Sequence, residues 1–229
     1  MKILIVHNHY LYPGGEDHVA ASEASLLRAH GHEVFLYERH NKEFYHLPFH
    51  QKPFFLLANI FWSRRTYREI RKMIQEHRPD VVHVHNPFFV ISPSVYDACY
   101  EEKVPVVQTL HNYRFLCANG VFYREGAVCE DCLSGGLIHC VKNKCFRDSY
   151  LYSLMGLLIL KTYRAREIFT KRIDAFIALG EFSRRKFTAS GRIPEEKIFV
   201  KPNFLFSDPH PRQKVGDYVL CVGALQKYK

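Results

Sequence analysis

The sequence lacks any hydrophobic run long enough to cross a lipid bilayer. Its longest apolar stretch, residues 150–160, falls well short of the roughly 20 residues that a membrane-spanning helix requires. The start of the chain also lacks the basic, apolar and small-residue succession of a secretory signal, because residues 1–2 lead directly into the strand-like residues 3–6. We therefore expect a cytoplasmic protein whose seven cysteines stay reduced.

Two common nucleotide-binding motifs are missing as well. No segment matches G-x-G-x-x-G, the dinucleotide fingerprint, and none matches the P-loop pattern G-x-x-x-x-G-K-[ST]. These absences argue against a NAD-binding domain and against a P-loop nucleotidase.

Acidic residues are in the minority. The chain has 23 Asp and Glu against 32 Lys and Arg, which gives a formal net charge of +9. Such an excess predicts a surface that attracts nucleotide phosphates, anionic lipid headgroups or nucleic acid. Basic residues follow the apolar run at Lys161, Arg164, Arg166, Lys171 and Arg172. This segment, or residues 54–65, could rest on an anionic membrane, and the alternative is the solvated face of a core helix.

Short apolar runs recur along the chain with helical segments between them. The runs are residues 3–6, 34–37, 81–84, 104–110, 175–179 and 198–200. This alternation predicts an α/β fold, a Rossmann-like doubly wound parallel sheet with helices on both faces. We expect the first helix to begin near Glu16 and to end at Gly31, and further helices over residues 54–77 and 93–102.

A glycine loop follows the first predicted strand, with the sequence Gly14-Gly15-Glu16. Two glycines let a backbone approach a ligand closely, and the helix that follows offers free N–H groups and a positive dipole end to a phosphate. The loop is therefore a candidate anion site. The alternative is a tight turn that only starts the helix.

Two His-Asn pairs, His85-Asn86 and His111-Asn112, follow predicted strands. In open α/β sheets, ligands bind at the carboxyl ends of the strands, so both pairs are expected to face one crevice. A neutral imidazole or an amide can hydrogen-bond sugar hydroxyls. The alternative is that each histidine satisfies a nearby backbone group.

Five segments in this order resemble the retaining glycosyltransferases of family four, which have a two-domain GT-B architecture. The segments are Gly14-Gly15-Glu16, residues 79–86, residues 107–112, residues 174–179 and residues 201–203. The resemblance covers almost the whole chain, and its specificity lies in the order and spacing of the segments.

The resemblance implies a domain organisation. Residues 1–203 would form the N-terminal, acceptor-side domain, residues 204–216 an interdomain linker, and residues 217–229 the start of a truncated nucleotide-binding domain. Two departures matter. Gly223-Ala224-Leu225 stands where the family usually has Gly-Arg-Leu, and the family's paired-glutamate signature is expected beyond Lys229. The chain alone is therefore expected to transfer nothing.

The resemblance also implies roles for individual residues. His111 would contact the donor sugar and so be catalytic in a loose sense, because the departing phosphate itself helps to deprotonate the acceptor. No protein nucleophile and no cofactor would be required. The expected substrate-binding residues are Gly14, Gly15, Glu16, His85, Asn86 and Asn112. The expected partners are a nucleotide-sugar donor, a glycan or lipid-linked acceptor, and an anionic membrane surface.

Residues 111–148 form a cysteine-rich insert that interrupts the strand and helix rhythm. Cys129 and Cys132 have the two-residue gap that lets both thiolates reach one tetrahedral metal. A structural zinc is one hypothesis, and reduced free cysteines or disulfides are the alternatives. The proposed zinc ligands are Cys129, Cys132, Cys140 and Cys145, with Cys117 and His139 as further candidates.

Two other functions compete with sugar transfer. The basic surface and the cysteines could belong to a zinc-supported module that binds nucleic acid, but no interleaved aromatic and basic motif supports this, so we expect no nucleic-acid partner. The second alternative is a sugar-nucleotide epimerase of the GT-B type. The order of His85 and His111 favours a transferase.

Overall fold

The computed structural model describes residues 1–205 and 217–219. The strands of the main sheet are β1 (Lys2–His9), β2 (Glu33–His40), β3 (Val81–Asn86), β4 (Val106–Leu110), β7 (Ala175–Ala178) and β8 (Ile198–Val200). A separate hairpin consists of β5 (Tyr123–Arg124) and β6 (Ala127–Val128). The predicted linker and second-domain start fall largely on residues 206–216 and 220–229, which lie outside the described residues.

Helices separate the strands of the main sheet along the chain. They are α1 (Gly15–Ala29), α2 (Lys42–Tyr45), α3 (Lys52–Asn59), α4 (Arg64–His77), α5 (Ser94–Glu101), α6 (Asp131–Ser134), α7 (Ile138–Lys142), α8 (Tyr150–Ala165) and α9 (Glu181–Ala189). No helix in the described part of the chain combines the length and the apolar character that a membrane crossing demands.

All six strands of the main sheet run parallel, in the order β2-β1-β3-β4-β7-β8. This confirms the predicted Rossmann-like α/β fold. Because the strands are parallel, the carboxyl ends of the central neighbours β1, β3 and β4 reach the same edge. The polar residues that follow these strands are thereby brought together.

Alternation along β1 explains how both faces of the sheet are covered. Ile3 and Ile5 pack with Ala24 of α1 on one face. Leu4 and Val6 belong to a larger cluster on the other face, which also contains Ile70 of α4 and Val95 of α5. Because successive side chains of a strand point to opposite faces of the sheet, a strand buried on both faces requires apolar side chains at every position.

The predicted helix over residues 54–77 is wrong in one respect, because it is two helices. Ser63 has an extended backbone between α3 and α4, and its Oγ accepts a hydrogen bond from the Thr66 N–H at 3.2 Å. Its own N–H donates to Ser92 Oγ at 2.9 Å. A serine that satisfies the free N–H groups of a new first turn ends one helix and starts the next.

The sequence of residues 111–148 suggests a loop, but the structure gives this segment short elements of its own. It contains β5, β6, α6 and α7, and it packs on α8 through a small apolar cluster. That cluster joins Ala118, Cys132, Leu137 and Cys140 to Leu157 and Leu160. The segment also contributes Phe115, Leu116, Cys117 and Phe122 to the main core, so it packs both on α8 and on the body of the domain.

Removing part of the small apolar cluster should destabilise the protein. Leu160→Ala truncates a side chain that is only 2% exposed, so we expect it to lower the free energy of unfolding by about 2–5 kcal/mol. Leu154→Ala is the matched control, because Leu154 lies on the same helix and is 41% exposed; its effect should stay below about 1 kcal/mol. Urea unfolding followed by circular dichroism measures both. Equal losses would contradict the packing described for residues 111–148.

Candidate functional site

The carboxyl ends of β1, β3 and β4 hold a network of histidines. His85 Nδ1 lies 3.0 Å from His111 Nε2, and the two rings stack with centroids 5.2 Å apart. His83, two residues before His85 on β3, bonds through Nε2 to Thr109 Oγ1 at 2.8 Å. The two histidines predicted at strand ends are therefore in direct contact.

Behind these rings lies a buried carboxylate that sequence reasoning missed. Glu23 of α1 places Oε1 3.4 Å from His83 Nδ1, and its Oε2 lies 3.8 Å from His85 Nε2. Lys201, which follows β8, approaches Glu23 Oε2 to 3.4 Å. Glu23 occupies an ordinary helical position in the sequence, so its role becomes visible only when α1 is packed on the sheet.

The three histidines are neutral at physiological pH because they are buried. Desolvation lowers the pKa of His111 to about 3 and that of His83 to about 4. The pKa of His85 lies well below its usual value for the same reason, with repulsion from the neighbouring histidines adding to it. His111 can therefore hydrogen-bond a ligand as a neutral ring, but it does not supply a positive charge.

Asp17 fixes the shape of the glycine loop. One of its carboxylate oxygens lies 2.8 Å from His7 Nε2 and 3.0 Å from His9 Nδ1, and the other accepts the Gly14 N–H at 2.6 Å. Burial tends to raise the pKa of Asp17, but the Gly14 and His7 hydrogen bonds outweigh burial and lower it. Its position three residues after Gly14 was the available sequence signal, since an acidic residue there closes a capping interaction at the start of a helix.

The two glycines differ in how closely they are surrounded. A Cβ added to Gly14 would meet Asp17 Oδ2 at 3.7 Å, whereas a Cβ added to Gly15 would meet nothing within 4 Å. The first turn of α1 therefore has open space beside it. Free N–H groups and the positive dipole end of a helix favour anions in general, so anion binding at this turn stays a prediction.

Glu16 and Asn112 meet across a polar cleft. Glu16 Oε1 accepts hydrogen bonds from the Tyr10 hydroxyl at 2.5 Å and from Asn112 Nδ2 at 3.3 Å. Burial raises the pKa of Glu16, and the hydrogen bond from Tyr10 opposes that rise. The cleft has a volume of about 510 Å³, and Glu16, Asn112, Asn119 and Tyr123 are among the residues that line it.

Asn86 and His85 lie deeper than the cleft. Asn86 Nδ2 donates to the Asn8 carbonyl at 2.8 Å, and Asn86 Oδ1 accepts a hydrogen bond from the Phe88 N–H at 3.0 Å. Both polar atoms of the amide are therefore bonded to the backbone. The His85 side chain is fully buried and contacts His111. Their direct contact with substrate remains a prediction, and their observed contacts order the loop after β3 and the ring of His111.

Among the described residues, two groups of side chains have the spacing of metal ligands. His7, His9 and Asp17 form one group, in which both histidines are hydrogen-bonded to the Asp17 carboxylate. Glu23, His83 and His85 form the other. The Lys201 ammonium, 3.4 Å from Glu23, already supplies the positive charge there.

The cysteines of residues 111–148 do not form a comparable group. Within residues 1–205 and 217–219, no three thiols, alone or with other ligands, come within metal-ligand spacing of one another. Cys132 and Cys140 are neighbours, and a hydrogen bond between them lowers the pKa of Cys132 to about 7 and raises that of Cys140. Cys129, Cys132, Cys140 and Cys145 are all free thiols in this structure, so the zinc site stays a prediction.

Three of the five basic residues at the end of α8 and just after it form ion pairs, and these pairs use two carboxylates. Arg166 pairs with Asp97, and Arg172 lies 3.5 Å from the other oxygen of the same carboxylate. Lys171 pairs with Glu167 at 2.5 Å. These ion pairs reduce the positive charge of the segment without cancelling it, so contact with an anionic membrane stays a prediction.

The fold resembles several solved structures at low sequence identity. UDP-GlcNAc 2-epimerase from Methanocaldococcus jannaschii is 15% identical with a TM-score of 0.43, over 87% of this chain and 45% of that one. Anabaena HepE in complex with UDP is 14% identical with a TM-score of 0.45, over 90% of this chain and 44% of that one. The chain thus spans less than half the length of each. No curated protein matches it significantly.

A sequence family accounts for most of the chain. The family described as Glycosyltransferase Family 4 matches residues 13–205, a range that contains the glycine loop, both His-Asn pairs and residues 111–148. The chain therefore belongs to glycosyltransferase family 4.

Proposed function

We propose that this chain is the acceptor-side domain of a retaining glycosyltransferase that moves a sugar from a nucleotide-sugar donor to a glycan or lipid-linked acceptor. The observation that carries the proposal is the neutral His111, held by His85 at the sheet edge where Glu16 and Asn112 meet. Family membership supports a glycosyltransferase, and the site supports binding of an uncharged sugar beside an anion.

The chemistry requires positioning and charge stabilisation. In the transfer, the bond between the anomeric carbon and the donor phosphate breaks, and a bond to the acceptor oxygen forms on the same face. The departing phosphate takes the acceptor proton. We propose that the open N-terminus of α1 at Gly15 stabilises the charge that develops on this phosphate. No protein nucleophile or cofactor enters this scheme.

His111 would hold the donor sugar through a defined tautomer. Glu23 Oε2 lies 3.8 Å from His85 Nε2, which is too long for a hydrogen bond but close enough for the negative charge to favour a proton there, and we infer that His85 carries its proton on that nitrogen. His85 Nδ1 then accepts a hydrogen bond from the His111 Nε2–H. His111 Nδ1 is left as an acceptor for a sugar hydroxyl, which a neutral ring can serve across the physiological pH range.

Replacement of His111 should lower the rate of sugar transfer strongly and should change the stability of the fold much less. In the intact protein, His111→Ala should lower kcat by about a hundredfold or more, since removing a donor or acceptor that acts in the transition state has effects of about 10²–10³. His30→Ala is the control, because His30 is exposed at the end of α1. The assay follows nucleoside diphosphate release and the glycosylated product. Wild-type rates in His111→Ala would refute the assignment, and conversion of the nucleotide sugar without an acceptor would indicate the epimerase instead.

We propose that the protein works at the membrane surface when its acceptor is lipid-linked. The exposed side of α8 carries Leu151, Leu154 and Leu158, which is unusual for a face that only meets water. An exposed apolar helix face beside basic residues is a feature of interfacial helices.

Vesicle co-sedimentation tests this. More protein should pellet with vesicles that contain anionic lipid than with neutral ones, and Leu151→Ser with Leu158→Ser should reduce the pelleted fraction several-fold. Exposed Leu205→Ser, outside α8, is the control. Equal pelleting with both vesicle types would remove the electrostatic part of the proposal, and unchanged pelleting of the α8 variant would remove the apolar part.

We propose, as a separate point, that Cys129, Cys132, Cys140 and Cys145 bind a structural zinc ion, for which the thiols would have to draw closer than in this structure. The two-residue gap between Cys129 and Cys132 supports this, because it lets both thiolates reach one tetrahedral metal. Purified protein should then contain about one zinc per chain by elemental analysis. Cys129→Ser with Cys132→Ser should remove it, whereas Cys99→Ser, which changes a buried cysteine outside the segment, should not. A metal-free wild-type protein would show that the thiols serve packing alone.

A further inference from the structure

An aromatic cavity opens beside the polar cleft. It has a volume of about 180 Å³ and lies between the loop after β3, helix α2 and helix α8. The rings and aliphatic side chains that form its walls include Phe44, Phe88, Phe89, Tyr152 and Ile159. For comparison, an apolar cavity of about 150 Å³ accommodates benzene. The space therefore suits a short length of hydrocarbon chain.

Two arginines stand where the cavity meets the cleft. Arg114 and Arg147, with Tyr10 and Phe146, line both spaces. The Arg114 guanidinium stacks on the rings of Tyr10, Phe88 and Phe146 at 5.6–6.0 Å. Arg147 is exposed, donates a hydrogen bond to the Tyr45 hydroxyl and stacks on Phe146. Aromatic stacking holds both guanidinium groups in place without neutralising them.

Neither arginine has a carboxylate partner among the described residues. Ion pairs occupy many other arginines of the chain, but no acidic oxygen lies within 4.0 Å of Arg114 or Arg147 in residues 1–205 and 217–219. Glu16, the acid that shares the cleft with Arg114, is bonded to Tyr10 and Asn112. Arg114 Nε is buried without a hydrogen-bond partner. A buried unsatisfied donor on a cation is costly, and a phosphate oxygen would satisfy it.

The apolar surface continues from the cavity to the outside of α8. At about 100° per residue, Met155 follows the cavity-lining Tyr152, Gly156 and Ile159 around the helix, and the exposed Leu151 and Leu158 come next. Hydrocarbon in the cavity therefore has an apolar path along the helix. An acceptor that is soluble and polar throughout would use neither the cavity nor this path.

We propose that the cavity and its two arginines bind the phosphate and the first carbons of a lipid-phosphate acceptor. The phosphate or diphosphate contacts Arg114 and Arg147, the hydrocarbon enters the aromatic cavity and continues over α8, and the sugar to be extended lies in the cleft beside Glu16 and Asn112. The placement of that sugar rests on the proposed transfer function; the lipid-phosphate site does not.

Calorimetric titration of the 229-residue chain with octyl phosphate tests the site, with octanol and inorganic phosphate as the two half-ligands. Octyl phosphate should bind at least tenfold more tightly than either, because it alone satisfies the arginines and the cavity together. Inorganic phosphate binding as tightly as octyl phosphate would overturn the apolar half of the site. Octanol binding as tightly would overturn the anionic half.

Variants assign the binding to these residues. Arg114→Gln and Arg147→Gln should each raise the Kd for octyl phosphate about tenfold or more, whereas Arg185→Gln, an equal charge change on the exposed side of α9, should leave it within about twofold. Because Arg147 is exposed, its replacement should leave thermal unfolding unchanged and so separates binding from folding. Unchanged Kd values in both variants would overturn the proposal.

These titrations contain no nucleotide sugar, so they are independent of the transferase assay. An intact enzyme that glycosylates only lipid-free glycans, with no octyl phosphate binding, would leave the proposed function standing and remove the lipid-phosphate site. Octyl phosphate binding in a protein that transfers no sugar would support the lipid-phosphate site and remove the proposed function.

Discussion

The parallel direction of all six strands is the constraint from which the rest of the site follows. It brings residues from β1, β3 and β4, which are far apart in the sequence, to one edge, and it buries the last residues of these strands between the helices on the two faces. Burial in turn keeps His83, His85 and His111 neutral. A strand of opposite direction at β3 would place His85 at the far edge, away from His111, and the network would not exist.

Charged and neutral groups are separated at this edge. The buried Glu23 pairs with the half-exposed Lys201, the imidazoles of His85 and His111 are neutral and contact each other, and Glu16 and Asn112 meet in the polar cleft. The Lys201 ammonium balances the charge of the Glu23 carboxylate, so the imidazoles beside that carboxylate need not be protonated to do so.

The strands, their burial on both faces and the residues at their ends were predictable, because each depends on a local pattern. These patterns are apolar runs of strand length, a glycine pair before a helix, and His-Asn pairs after strands. The break at Ser63 was missed because it depends on a contact with Ser92 that only the folded chain makes. Glu23 was missed for a similar reason, since nothing near it in the sequence indicates the buried histidines of β3. The aromatic cavity was missed because its walls come from several parts of the chain that are far apart in the sequence.

Residues 111–148 begin at the catalytic candidate His111 and end at the helix on which they pack, so they connect the sheet edge to α8. One part of the segment packs with Leu157 and Leu160 of α8, and another part, which includes Phe115 and Phe122, belongs to the main core. Substitutions in the part that packs on α8 can therefore reshape the aromatic cavity, which Ala118 and Leu160 also line, with less disturbance of the sheet and its histidines.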